Sequence, residues 1–245
     1  MAGYRKDTSG NFAMKGFTEL HRALDALFAR PGRLRLLIAS LALAALPLAG
    51  PQAAETPDAG AFLTDLNERV IAQLTGADIQ QAEREQRFRV LLGENFSVRS
   101  ISRFVLGRYW RKASEQERAA FIEVFEDVLV QRFAPLFVKY SGETLTVGQV
   151  RPNANNPNSV TVTSQLKQSH GAVVKVDWRM RNENGHYKIV DIVTEGVSIA
   201  ISLRSVYGSF ILRNGGRVDA LIDDLRSEVA AAGAGTQTAQ NTAAQ

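Results

Sequence analysis

Apolar positions recur at intervals of three and four from residue 61 to about residue 140, then at intervals of two from about 144 to 194, and again at three and four to about residue 230. Helical spacing places an apolar stripe on one face of a helix, and alternation places one on one face of a strand. The chain therefore predicts helices, then a run of strands, then helices.

Phe62, Leu63, Leu66, Val70, Ile71 and Leu74 predict a first helix over 61–74. A second covers about 78–92, with Ile79, Ala82, Phe88 and Leu91 inward and "QQAEREQR" as a solvated face. "SVRSISRFVLGRYWR", 97–111, predicts a third, with Ser97 as N-cap. Ser114 and Glu117 have the spacing of a capping box and open a fourth. The fourth carries an aromatic stripe to about Tyr140, with a kink at Pro135 and a stop at Gly142.

"TLTVGQV", "SVTVTSQLK", "VVKVDWRMR" and "YKIVDIVT" alternate, and "RPNANNPN", "QSHG" and "NENGH" separate them with turn residues. They predict a four-stranded antiparallel meander with one wet face. "VSIAISLRSVYGSF", 197–210, then returns to helical spacing, but its apolar side chains spread around most of the wheel. Ser198, Ser202, Ser205 and Ser209 form one narrow stripe, and Arg204 is its single charge. Gly215 and Gly216 precede a last helix with Val218, Leu221, Ile222, Leu225 and Val229 inward. The fold class is α+β: a curved four-stranded antiparallel sheet wrapped by about six helices.

Two helices suffice to cover one apolar sheet face, and six bring apolar faces here. Either the core is thick, or the surplus lines an apolar cavity for a greasy ligand. On the second reading, pattern selects Val105, Tyr109, Trp110, Phe121, Phe125, Leu129, Phe133, Val162, Val176, Trp178, Val193, Val197, Ile201, Val206 and Phe210 as lining. Arg103, Arg108, Arg111 and Arg204 are candidate basic residues beside its mouth, for a phosphate or a membrane partner. The serine stripe reads as a close helix-packing surface.

Composition sharpens the outline. Residues 36–50, "LLIASLALAALPLAG", preceded by Arg30, Arg33 and Arg35, predict a secretory signal over 1–54, cleaved near 50–54, with Met14 a second candidate start. Residues 55–60 read as a linker, 61–230 as one domain and 231–245 as a low-complexity, disordered tail. Of 29 Lys+Arg and 25 Asp+Glu, seven bases and three acids lie in 1–54, leaving 22 of each. Zero net charge removes the electrostatic case for nucleic-acid binding. The absence of cysteine excludes a thiol nucleophile and disulfides, which fits export to a bacterial periplasm.

Candidate chemistry is sparse. His21 falls in the signal, and His170 and His186 fall in turns. No metal-ligand spacing, P-loop or G-x-S-x-G motif is present, and no cofactor is called for. Asp177 reads as a solvated pair with Lys175 and Arg179. Asp191 and Glu195 would serve as a base only if buried in an apolar pocket, the basis of an alternative small-molecule enzyme on a ketosteroid-isomerase-like fold.

"FSVRSISRFVLGRYWRKASEQERAAFIEVFEDVLVQRFAPLFVKYSGE", 96–143, resembles the MlaC family, also called toluene-tolerance auxiliary proteins. The segments "LGRYWR", the long aromatic helix and "YSG" carry the likeness. A second stretch, "IVDIVTEGVSIAISLRSVYGSFILRNGGRVDALIDDL", 189–225, is similar in its E-G-V-S turn, R-S-x-Y helix and G-G-x-x-D-x-L-I end. The resemblance covers about 61–230. It implies a non-enzymatic, monomeric periplasmic carrier that holds phospholipid acyl chains in a cavity. It implies shuttling between an outer-membrane lipoprotein–porin complex and an inner-membrane ABC transporter with an MCE-domain subunit, which maintains outer-membrane lipid asymmetry. A hopanoid cargo is the alternative within the family.

Overall fold

The computed structural model describes residues 58–243; the expected signal, residues 55–57 of the expected linker, and residues 244–245 lie outside the described residues. Helix α1 (Ala59–Leu74) starts two residues earlier than its apolar period suggests, because the Asp58 carboxylate caps it by accepting the Gly60 N–H at 2.8 Å. Helix α2 (Gln81–Asn95) begins after the 75–80 turn. Its late start puts Ala82 in the first turn and on the surface, not inward. The solvated-face reading of "QQAEREQR" also fails at Arg84, which is buried. Its Nε donates to the Leu74 carbonyl at 2.9 Å and its Nη2 to Gly76 O at 3.0 Å, so it closes the C-terminus of α1.

The expected helix 97–111 is broken. Helix α3 (Val98–Leu106) stops at Gly107, whose φ of 55° and ψ of −121° end the α-helical path, and a 3₁₀ turn runs over Gly107–Arg111. Ser97 stands at the N-cap position, but its hydroxyl donates to Glu183 Oε1 at 2.8 Å instead of capping the helix. Helix α4 (Glu115–Phe133) opens with both bonds of the capping box: Ser114 N–H to Glu117 Oε2 at 2.7 Å, and Glu117 N–H to Ser114 Oγ at 3.1 Å. Pro135 cannot continue the i→i−4 ladder, and Ala134–Lys139 tightens to a 3₁₀ helix. Gly142, at φ 94°, ends the segment.

The sheet is antiparallel with strands in sequence order: β1 (Thr144–Asn153), β2 (Asn156–Lys167), β3 (Val173–Glu183), β4 (His186–Thr194) and β5 (Val197–Ser198). The fifth strand, two residues long, corrects the four-strand expectation: residues 197 and 198 pair with β4 before the chain turns into helix α5 (Ile199–Arg213). Asn184 and Gly185, at φ 54° and 86°, make the tight β3–β4 turn that "NENGH" predicts.

One feature of β4 is invisible in its alternation. Arg179 pairs with Asp191 but Met180 pairs with Ile189, so Val190 is an extra, bulged residue. Beyond the bulge the two-residue period changes sides. Trp178 and Ile192 share the inner face, whereas Val193 falls beside Asp177, on the other face.

Helix α6 (Val218–Ala243) continues through residues expected to be disordered. That stretch is rich in alanine, the strongest helix former.

Two apolar clusters hold the structure. One is helical, joining α3, α4, α5 and α6 around Phe121, Phe125, Tyr207, Ile211 and Leu225. Phe121 stacks on Phe125 with centroids 5.5 Å apart, and both rings meet Tyr207 edge-on. The other joins α1 to the sheet around Leu63, Val162, Met180, Tyr187 and Ile189. The α2–α3 junction is tied to β4 by the Ser97 N–H bond to Ile189 O at 2.9 Å.

Candidate functional site

Between the two clusters lies a cavity of about 280 Å³. Helix α1 contributes Leu63, Leu66, Val70 and Ile71, one helical stripe three and four residues apart. From α2 and its exit come Phe88, Leu91, Leu92 and Phe96. Helix α4 adds Phe125, Leu129 and Phe133, and the 3₁₀ segment after it adds Leu136 and Phe137. Phe88 is stacked with Phe133 at 6.4 Å and tilted against Phe137 at 6.0 Å, so three rings from three segments close one end of the wall. The sheet supplies Leu145, Leu166, Val176, Trp178, Val190 and Ile192, and the first turns of α5 supply Ile199, Ala200 and Leu203.

The carboxylates and most other polar groups on this wall are bonded to the fold. Asp191 Oδ2 accepts the Ser198 hydroxyl at 2.6 Å and Arg179 Nη1 at 3.0 Å, while Oδ1 accepts the Ala200 N–H at 3.0 Å. Its carboxylate thus anchors the start of α5 to the sheet. Burial pushes the Glu143 carboxyl up. Hydrogen bonds from the Ser141 N–H at 2.8 Å and hydroxyl at 2.9 Å, with attraction to His170, outweigh this and leave it below the usual glutamate range. Trp178 turns its Nε1–H to Ser164 Oγ at 2.9 Å, and Ser164 in turn donates to Val176 O at 3.1 Å. Apart from Asn67, what remains facing the hollow is hydrocarbon and aromatic ring.

Such a wall can hold an apolar molecule by excluding water. Glu195, the other carboxylate of the enzyme alternative, is exposed in the β4–β5 turn, where it accepts the Lys175 N–H at 2.6 Å. Asp191 is buried on the wall, but both its oxygens are already bonded to Arg179, Ser198 and the Ala200 N–H. Asp177 lies 3.5 Å from Lys175 Nζ and serves as a surface partner. Among the described residues no cluster of three metal-ligating side chains occurs, and no helix is long and apolar enough to cross a membrane.

The family model for the MlaC protein matches residues 64–227, which includes every residue of the cavity wall except Leu63. The chain belongs to the MlaC family. Toluene tolerance protein ttg2D of Pseudomonas putida is 27% identical over 143 residues, 58% of this chain and 66% of that protein. The intermembrane phospholipid transport system binding protein MlaC of Haemophilus influenzae is 26% identical over 98 residues, 39% of this chain and 45% of that protein. The chain thus spans about two-thirds of the first relative and under half of the second. The fold is shared with a phospholipid-binding protein from Ralstonia solanacearum, solved in complex with a phospholipid, at a TM-score of 0.65 and 19% identity. That match covers 72% of this chain and 99% of the solved one.

Within this MlaC fold, five of the fifteen residues selected by pattern lie on the cavity wall: Phe125, Leu129, Phe133, Val176 and Trp178. The other ten do not line it. Val105, Tyr109, Trp110 and Phe121 are buried in the helical cluster, with Val206 and Phe210 packed against it. Val162 is buried in the cluster under α1. Val193 is turned away by the bulge at Val190. Val197 and Ile201 are 49% and 54% exposed, on the outer side of the segment whose inner side carries Ala200, Leu203, Tyr207 and Ile211. Arg103, Arg108, Arg111 and Arg204 are exposed, and none lines the cavity.

Pattern reading missed the contribution of α1 and α2. Their apolar stripes are plain in the sequence, but a helix facing a hollow and a helix facing a solid core have the same period.

Proposed function

We propose that the chain is a periplasmic phospholipid carrier that takes acyl chains into the hollow between its two clusters and leaves the headgroup toward water. The observation that carries this reading is a cavity of about 280 Å³ whose wall is mostly apolar side chains and whose carboxylates are already bonded to the fold. Moving hydrocarbon out of water is favourable by about 0.8 kcal/mol per CH₂. A single chain of some fifteen methylenes therefore resists crossing an aqueous space by on the order of 12 kcal/mol. A protein that covers the chain removes most of that barrier. The names of the relatives, a phospholipid transport system binding protein among them, support the same cargo class. The donor and acceptor in this reading are an outer-membrane lipoprotein–porin complex and an inner-membrane ABC transporter with an MCE-domain subunit.

Native mass spectrometry of the protein purified from its own host tests the cargo. The expected spectrum contains the chain plus the mass of a two-chain phospholipid, released on denaturation. A ligand-free protein that also takes up no added phospholipid would overturn the reading.

A further inference from the structure

The described arginines differ in how they are partnered. Arg69, Arg87, Arg89, Arg132 and Arg179 are ion-paired with carboxylates. Those of the α3 region are not. Between Phe96 and Ser114 the sequence carries Arg99, Arg103, Arg108, Arg111 and Lys112 and no Asp or Glu. All five are exposed, and among the described residues none makes an ion pair.

Helix α5 lies against α3 and extends the same face. Arg204 places its guanidinium 5.0 Å from the centre of the Phe104 ring, over Gly107, where a Cβ would come within 3.0 Å of it. Gly107 is therefore the gap that lets Arg204 join this surface. Phe104 is 42% exposed. Ile201, one turn before Arg204, and Val197, in strand β5 just ahead of the helix, are also exposed apolar side chains. Exposed aromatic and branched side chains set among unpaired arginines are the arrangement of an interfacial surface, where apolar groups enter the acyl boundary and guanidinium groups meet phosphates.

We propose that this face docks on the surface of an anionic lipid bilayer. The charge is complementary, and the apolar side chains are exposed as insertion requires. The same helices also form cavity wall on their other sides, through Ile101 of α3 and through Ile199, Ala200 and Leu203 of α5. A bilayer held against Phe104 and Ile201 would thus lie within about one helix diameter, ~10 Å, of the hollow. The inference goes beyond the carrier reading and does not depend on it, since it rests on the outer surface alone.

Vesicle co-sedimentation tests it, using the chain from Glu55 onward, which includes both apolar clusters. The expected result is binding to equimolar phosphatidylglycerol–phosphatidylcholine vesicles, weakened by added salt, and little binding to pure phosphatidylcholine. F104S/I201S should lose binding to the anionic vesicles. R103E/R204E should weaken it at least ~20-fold, since each lost cation is worth about fivefold near such a surface. R103E/R111E, which leaves the Arg204–Phe104 contact intact, should do the same. Native mass spectrometry of each variant should show unchanged cargo, so the two proposals succeed or fail separately. Absent binding, equal binding to both vesicle types, or indifference to the three variants would overturn the docking proposal. So would variant-sensitive binding found only when a membrane protein is present, which would assign the face to an acidic protein.

Discussion

Replacing Leu129 with tryptophan tests whether the centre of this protein is hollow in a way that matters. Leu129 sits on the cavity wall in the middle of the α4 aromatic stripe. An indole adds about six heavy atoms to the leucine side chain; at no more than a water's share of ~30 Å³ each, they fill at most ~180 Å³. The hollow holds about 280 Å³, so the new ring fits without displacing its neighbours. The same residue placed at Phe121 has no such space, because that ring is fully buried and packed on Phe125 and Tyr207. Overpacking should cost Phe121→Trp about 1–3 kcal/mol. Leu129→Trp should stay within about 1 kcal/mol of the unsubstituted protein, since the ring gains contacts in an unfilled space. At about 2–4 °C per kcal/mol for a domain of this size, circular-dichroism melts of lipid-stripped protein resolve the difference. Stripping is needed because bound lipid would stabilise the wild type by mass action. Lipid uptake should show the opposite order, lost in Leu129→Trp and retained in Phe121→Trp. Equal destabilisation of both variants, with lipid uptake intact in Leu129→Trp, would refute the reasoning.

Three other substitutions probe the frame. Gly107→Ala forces a side chain into a left-handed conformation and against Arg204, and should cost about 1–3 kcal/mol in urea unfolding; a change under ~0.5 kcal/mol would mean the turn is not constrained. Arg84→Ala strips the bonds that close α1 and should lower stability by about 1.5–3 kcal/mol, with Arg84→Lys recovering part of it; equality of the three proteins in a melt would refute the assignment. Glu143 has a folded-state pKa below its unfolded value, so its contribution is present above the unfolded value, near 4.5, and is lost as pH falls through the folded one. Glu143→Gln should therefore unfold with a flatter pH dependence below about pH 4.5, and an unchanged acid limb would contradict the hydrogen bonds from Ser141.

Much of the frame is legible in the chain because local rules and tertiary packing agree there. Ser114 and Glu117 make the two bonds that their spacing implies, and Asn184-Gly185 takes the conformation its dipeptide prefers. Along β3, Val174, Val176 and Met180 are buried as alternation requires. The site was less legible. A hollow is a property of several elements at once, and no single period distinguishes side chains that face empty space from those that face a neighbour. Phe121 and Phe125 belong to one stripe, yet the first is core and the second reaches the wall. Val197 and Ile201 lie on a segment apolar almost all round, so hydropathy could not say which side turns inward. Arg84 reads as a surface charge because its acceptors, the Leu74 carbonyl at the end of α1 and the Gly76 carbonyl just after it, are backbone groups without a signature in sequence.

The bulged Val190 has a consequence for the history of the wall. Because side chains alternate, the residue that meets the hollow at the end of β4 is set by a count along the strand as much as by the kind of residue encoded. Were Val190 absorbed into the ladder opposite Arg179, Asp191 would pass to the inner face opposite Trp178 and Ile192 would swing out opposite Asp177, whereas deleting Val190 would leave both where they are. Whether this one residue is bulged or paired would therefore do more to the lumen than several substitutions in the strand. Related proteins compared column by column would be misread on this strand unless the extra residue is aligned first.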